Sequence, residues 1–447
     1  KESSRLRKNR NKYRSKYREA LNAHRQMAES LEKERSENAE TKKNLQQKEE
    51  ELKRAYTSQE QTKDEIVELK KTQIPISKQE LRFLAVLLFF FGSISCRAIV
   101  RVLGAFKVPL ALGKVPSVQT IINWVQRYSL AQFFEKRNYP CLVNYKDIWI
   151  LDISITINAE KILSVIRVSG SHYAKSRGYP SLKDVTCLVS ATAISWTGEK
   201  IAEILKNLAE KVGNPLAILK DGGTDLRKAA GIFMQAYPET QVIADISHII
   251  ANILKAKYNE DPRMIEFISL CGSISKALKQ SLLACLVPPK LKHSARFMNV
   301  HKLFLWAQKV LELSPVGRAQ QGSMLAKLRA AIEDLPKLRA FIKRFHQEAS
   351  FCLKLQSLLK NKGLNSETFA EANEMLSNLA QGELRNALFH YLEQQSQVMN
   401  TLSLEKTGLI ISSDCIESLF AKAKFAHRSG FQDIHSVAIT LPGHCGQ

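Results

Sequence analysis

"DIWILDISI", residues 147–155, decides the fold. It is rich in β-branched and aromatic residues and holds neither Gly nor Pro, so it reads as a strand. It also carries Asp152 near its middle. An apolar strand seldom holds a carboxylate without a use for it. Two more strand-like runs follow, "KILSVIRVS" (161–169) and "DVTCLVSATAISW" (184–196). Then come a helix, "GEKIAEILKNLAEKV", a strand, "PLAILK", a turn, "DGGTD", a helix, "LRKAAGIFMQAY", and a strand, "TQVIAD". Three strands, then helix, strand, helix, strand, is the order of an α/β RNase H-like sheet. Residues 145–250 are therefore expected to be the first part of such a core.

The signal from 247 to about 405 is almost entirely helical, with a break at Pro288-Pro289. Residues 251–405 read as an all-helical insertion, and 406–447 as the final core helix and a C-terminal segment. That last helix begins in "SSDCIESLFAKAK", 412–424. Cys415, Ile416, Leu419, Phe420 and Ala423 fall on one apolar stripe. Glu417 sits on its shoulder, with Ala421, Lys424 and Arg428 along the same flank.

Asp152, Asp221 at the end of "PLAILK", and Glu417 each have a plain reading. Asp152 can pair with a lysine, Asp221 can be a turn residue before Gly222-Gly223, and Glu417 can be a helix-surface glutamate. In an RNase H-like arrangement the three positions converge instead. Three carboxylates held together repel and desolvate one another, so they need cations. Oxygen ligands without His or Cys suit Mg²⁺ or Mn²⁺. Two ions roughly 4 Å apart can activate a nucleophile and stabilise the leaving oxygen of a phosphodiester.

With "WILDISITINAEKILSVI", "ILKDGGTDLRKA", "VIADISHIIANILK", "PPKLKHSARFMNV" and "SSDCIESLFAKAK" read in order, the chain from about 80 to 447 resembles a DDE transposase of a bacterial insertion sequence. The resemblance implies a metal-binding, catalytic triad of Asp152, Asp221 and Glu417, two Mg²⁺ (or Mn²⁺) ions per site, and a helical insertion that accounts for the long Asp221–Glu417 interval. It implies hydrolysis at transposon ends and 3′-hydroxyl strand transfer into target DNA, with terminal inverted repeats as the double-stranded partner, in a bacterial nucleoid. A structure-specific nuclease on the same fold, and an inactive transposase-derived DNA-binding protein, are the competing readings. Similar proteins run on further after the glutamate, so a truncated end is also expected.

Asp245 and His248 form a D-x-x-H similar to one in hAT-like and Mutator-like transposases. His248 then contacts the scissile phosphate or the attacking group, oriented by Asp245. Equally, Asp245 is an N-cap and His248 a helix-surface residue. In "PPKLKHSARFMNVHKLFLW" (288–306), Lys290, Lys292, His293, Arg296 and Lys302 are expected in one irregular segment that follows DNA phosphates. Trp306 is either a base-stacking platform or a packed helix residue. Lys424 and Arg428 are further candidate DNA contacts.

The net charge of +23 favours a polyanion partner. A membrane is disfavoured, because the longest apolar run, Phe83 to Phe91, is about half a span. Eight cysteines without a C-x-x-C pair argue against zinc ribbons and disulfides and fit a reducing cytoplasm. Residues 1–72, with interlaced heptad series and a basic start, read as a coiled-coil stem that makes a homodimer or larger assembly. Residues 73–140 read as a helix-turn-helix-type domain with helices near 79–90, 95–104 and 117–128. Gln119, Thr120 and Asn123 at the start of the third would read bases.

Overall fold

The computed structural model describes residues 46–54, 56–58, 60, 63, 75–137, 147–169, 180–291, 296–312, 319–427 and 433–446. Most of the expected stem and its basic arm lie outside these, as do Lys292, His293 and Arg428; the described residues between 46 and 63 are helical and exposed. The chain divides into two compact units, Lys1–Ser77 with Val102–Val115, and Lys78–Arg101 with Pro116–Gln447.

The larger unit is built on one five-stranded sheet, in the order β3-β2-β1-β4-β5. The strands are β1 (Ile148–Ile157), β2 (Glu160–Val168), β3 (Val185–Ala193), β4 (Ala217–Lys220) and β5 (Gln241–Ala244). β1 runs antiparallel to β2, and β2 to β3, while β4 is parallel to β1 and β5 to β4. β1 is central and covered on both faces, which explains its nearly unbroken apolar run. Ile148 and Ile150 point into one core, Trp149 and Leu151 into the other. Beyond Ser154 the register shifts, and Ile155 takes a positive φ of 55°. That bulge returns Ile155 to the first core.

Helices α4 (Gly198–Val212) and α5 (Thr224–Ala236) cover the Trp149 face. The opposite face is covered by α6 (Ile246–Tyr258) and α13 (Asp414–Ala426). Between them the helical insertion runs through α7 (Pro262–Leu278), α8 (Arg296–Glu312), α9 (Met324–Ile332), α10 (Arg339–Lys362), α11 (Ser366–Ser377) and α12 (Glu383–Thr401). Edge strand β5 is not left open to pairing: Tyr391 Oη donates to the Ala244 carbonyl at 2.9 Å, and Gln395 Oε1 accepts from the Ala244 N–H at 3.4 Å, both from α12.

The region 73–140 holds three helices, α1 (Lys78–Phe90), α2 (Cys96–Ala105) and α3 (Val118–Arg137). They do not form a compact unit of their own. α1 and α3 belong to the larger unit, where α3 packs on α1, β3, α14 (Ile434–Thr440) and the 3₁₀ turn Leu441–His444. The Gly443 N–H donates to Ser129 Oγ at 2.8 Å, and a Cβ on Gly443 would lie 2.4 Å from the Phe90 ring. Among the described residues no helix is long and apolar enough to cross a membrane, and no cysteine is in a disulfide.

Candidate active site

The site begins with strand register. Leu151 of β1 is level with Lys220 of β4, and Lys220 with Ala244 of β5. Asp152, Asp221 and Asp245 are each the next residue along, so they share one row, midway along β1 and just past the C-terminal ends of β4 and β5. On the other side Asp152 is level with Ser164 of β2, and Ser164 with Ser190 of β3. A polar row thus crosses the whole sheet. Neighbouring strands lie about 4.8 Å apart, so Asp152 and Asp221 are adjacent. By alternation both stand on the face that carries Ile150 and Leu219, which is the face of α6 and α13.

α13 docks there through Cys415, Ile416, Leu419, Phe420 and Ala423, the stripe expected from the sequence, and packs against β1. Each such side chain contributes roughly 1–3 kcal/mol when buried. Glu417, Ala421 and Lys424 form the exposed flank beside it. Glu417 lies in the first turn of this helix.

Electrostatics tie these groups together. Burial pushes the Asp152 carboxyl up to about 7, Asp221 adds to the rise, the Ile153 N–H and His248 oppose it, and Glu417 adds again. The charges with the largest effect on Asp152 are two carboxylates and a histidine. Glu417 is also raised, first by desolvation, then by Asp414 and Asp245, against His248 and Lys360.

The linkage has a definite sign. The folded chain holds a proton on Asp152 between about pH 4 and 7 that the unfolded chain has released, so stability falls as pH rises through that window. Asp152→Asn is expected to abolish this loss, a gain of roughly 2–4 kcal/mol at about pH 8 and little at about pH 4. Thermal denaturation at the two pH values checks it; an equal change at both would contradict it.

Asp221 also has its structural task. Its Oδ1 accepts the Gly223 N–H at 2.8 Å, in the turn that opens α5. A Cβ on Gly223 would stand 2.9 Å from that oxygen, so a larger residue there would push the Asp221 carboxylate aside. Beside Asp221 opens a cleft of about 400 Å³ between α5 and α6, lined among others by Arg227, His248 and Asn252.

Asp245 is almost fully buried and its two oxygens divide the work. Oδ1 accepts from the Ser247 and His248 N–H groups, at 2.7 and 3.0 Å, and caps α6. Oδ2 accepts from Ser413 N and Ser413 Oγ, at 2.6 and 2.8 Å, at the foot of α13. The Ile246 N–H donates to the Ile411 carbonyl at 3.0 Å beside it. The N-cap reading of Asp245 thus holds, and a second role appears: it fixes the helix that carries Glu417 relative to the helix that carries His248. With four bonds its acceptor capacity is used, so it is a positioning residue.

Among the described residues, no group of three His, Cys, Asp or Glu side chains is gathered closely enough to hold a metal ion. Asp152, Asp221 and Glu417 are electrostatic neighbours short of that. The donor set itself fits a hard divalent cation: it is all oxygen, and its central carboxyl is held from ionising first by burial and then by the neighbouring Asp221. Ser164, level with Asp152, is fully buried, and its Oγ has no hydrogen-bond partner among the described residues.

The other predicted contacts are scattered. Lys290 is exposed, but the expected irregular segment ends at Arg296, where α8 begins. Phe297, Val300, Phe304 and Ala307 have helical spacing and are buried, which imposes that helix. Trp306 is half-buried against the core, its indole N–H donating to the Leu286 carbonyl at 3.0 Å; it is the packed residue of the two readings. Ser117 caps α3 through the Thr120 N–H at 3.2 Å. Gln119 and Asn123 are exposed one turn apart and bonded to each other at 3.1 Å.

No protein-family model matches the sequence, and no curated protein matches it. Among solved structures the chain is similar to the Drosophila P element transposase strand transfer complex, with a TM-score of 0.43 and 11% identity over 83% of this chain and 93% of that one. It is also similar to the simian T-cell lymphotropic virus intasome in complex with PP2A regulatory subunit B56 gamma, with a TM-score of 0.18 and 13% identity over 54% and 76%. At these scores neither likeness bears on the site.

Proposed function

We propose that the chain is a DDE-type transposase, similar to those of bacterial insertion sequences, that cuts DNA at transposon ends and joins the freed 3′-hydroxyl to target DNA. The observation that supports this reading is the shared row of Asp152 and Asp221 on neighbouring parallel strands of the five-stranded sheet, with α13, which carries Glu417, packed against β1. Asp152, Asp221 and Glu417 would hold Mg²⁺ or Mn²⁺, two ions per site. Bound there, such ions supply the positive charge that in-line displacement at phosphorus requires.

The chain's own residues do the rest. Asp152, protonated up to about neutral pH when no cation is bound, would serve as a ligand in its ionised form. Asp221 keeps one oxygen on the Gly223 N–H, which fixes its direction. His248, in the first turn of α6, lines the cleft beside Asp221 and is placed to donate to a phosphate oxygen or take a proton from the attacking hydroxyl. Lys424 on the Glu417 flank, Lys290, and outside the described residues Lys292 and Arg428, would track DNA phosphates; Arg296 is assigned the same task. Gln119, Thr120 and Asn123 would read bases. The stem of residues 1–72 would pair two protomers on paired ends, in the nucleoid.

The test is incubation of the full chain with labelled element ends, a supercoiled target plasmid and Mg²⁺. Joined products are expected. Cleavage without joining would replace the proposal by a nuclease, and neither product would leave a DNA-binding protein.

A further inference from the structure

The insertion reaches back to the catalytic face at two points one helical turn apart. On α10, Gln356 Nε2 donates to Ser247 Oγ at 2.7 Å. Four residues on, Lys360 Nζ donates to both Asp414 oxygens, at 2.7 and 2.6 Å. Ser247 precedes His248 in the first turn of α6, and Asp414 opens α13 one turn before Glu417. An i, i+4 pair shares one helix face, so a single side of α10 grips the N-termini of both helices.

The grip is well anchored. Just past α10, Leu364 and Leu409 exchange backbone hydrogen bonds of 2.9 and 2.7 Å, tying the chain that leads into α13. At the other end of α6, Glu348 of α10 accepts from Tyr258 Oη at 2.7 Å and from Lys257 Nζ at 2.7 Å. α10 therefore lies antiparallel along α6 as a brace. The Lys360 side chain is 18% exposed and the Asp414 side chain 36%, so the pair is only partly screened by solvent.

We infer that Gln356 and Lys360 are positioning residues, through which the helical insertion sets His248 and Glu417 in one frame and so controls how well the carboxylates take up a divalent ion. This rests on the metal-holding reading of the site. Lys360 acts in two ways: it holds the first turn of α13, and it neutralises Asp414, which stands at i−3 to Glu417 and would otherwise repel it. Removing a group that orients a ligand commonly costs about 10–100-fold in metal affinity.

The experiment is Mn²⁺ binding to the full chain without DNA, followed by electron paramagnetic resonance, for wild type, Lys360→Met, Lys360→Arg and Gln356→Leu. Lys360→Met is expected to weaken binding about tenfold and Lys360→Arg to stay within about twofold of wild type, because arginine keeps the ion pair. Gln356→Leu, which keeps the ion pair, is expected to weaken binding about threefold and serves if Lys360→Met fails to fold. A merely structural role would lower the melting temperature and leave Mn²⁺ affinity where it was; that result, or failure of arginine to restore binding, overturns the inference. Wild type that binds no Mn²⁺ would instead overturn the reading of the site itself.

Discussion

Asp152→Asn, Asp221→Asn and Glu417→Gln are each expected to lower Mg²⁺-dependent cleavage of an element end by on the order of 10³-fold or more, with DNA affinity held within about twofold. Each change removes one charge and one anionic oxygen donor while keeping the side chain's shape. A loss of about 4 kcal/mol of charge stabilisation at phosphorus corresponds to that factor. On the proposed reading DNA binding would rest on cations, and neutralising a carboxylate would not weaken it. Single-turnover cleavage of a labelled end, beside a binding titration at fixed salt, reads both quantities. A variant that cleaves like wild type would remove that residue from the site.

Asp245→Ala is expected to destabilise the fold by roughly 3–5 kcal/mol. The carboxylate satisfies four donors at once, three of them backbone N–H groups of Ser247, His248 and Ser413, in a position that is 1% exposed. Truncation leaves those donors buried beside a void that water reaches poorly. Asp245→Asn keeps one acceptor oxygen and is expected to lose about half as much. Chemical denaturation with an unchanged slope measures it, and a change below about 1 kcal/mol for the alanine variant would contradict the clasp.

What the sequence displayed was whatever repeats at short range. The stripe from Cys415 to Ala423 has helical period and docks as its spacing requires. The succession of strands and helices along the chain through 245 follows from runs of β-branched residues and the turns between them. What stayed hidden depends on pairing between distant segments. The row from Ser190 through Ser164 to Asp152 needs the register of β1, β2 and β3, which no local pattern fixes. The Ile155 bulge reverses which side chains face the core, where plain alternation continues the strand unchanged.

Asp245 displayed its cap and concealed its clasp, since Ser413 lies 168 positions away. Gln356 and Lys360 look like the solvated face of a long helix, and only the fold brings Ser247 and Asp414 under them. Trp306 could be read two ways until the Leu286 carbonyl supplied a partner for its indole N–H.

The central claim is that Asp152, Asp221 and Glu417 jointly hold divalent ions. Its most direct test is a crystal of the full chain grown with Mn²⁺ and measured at the manganese absorption edge. Anomalous peaks are expected within about 2.2 Å of oxygens from all three side chains. Peaks on Asp152 and Asp221 with the Glu417 carboxyl turned away, or no peak on the row at all, would contradict it.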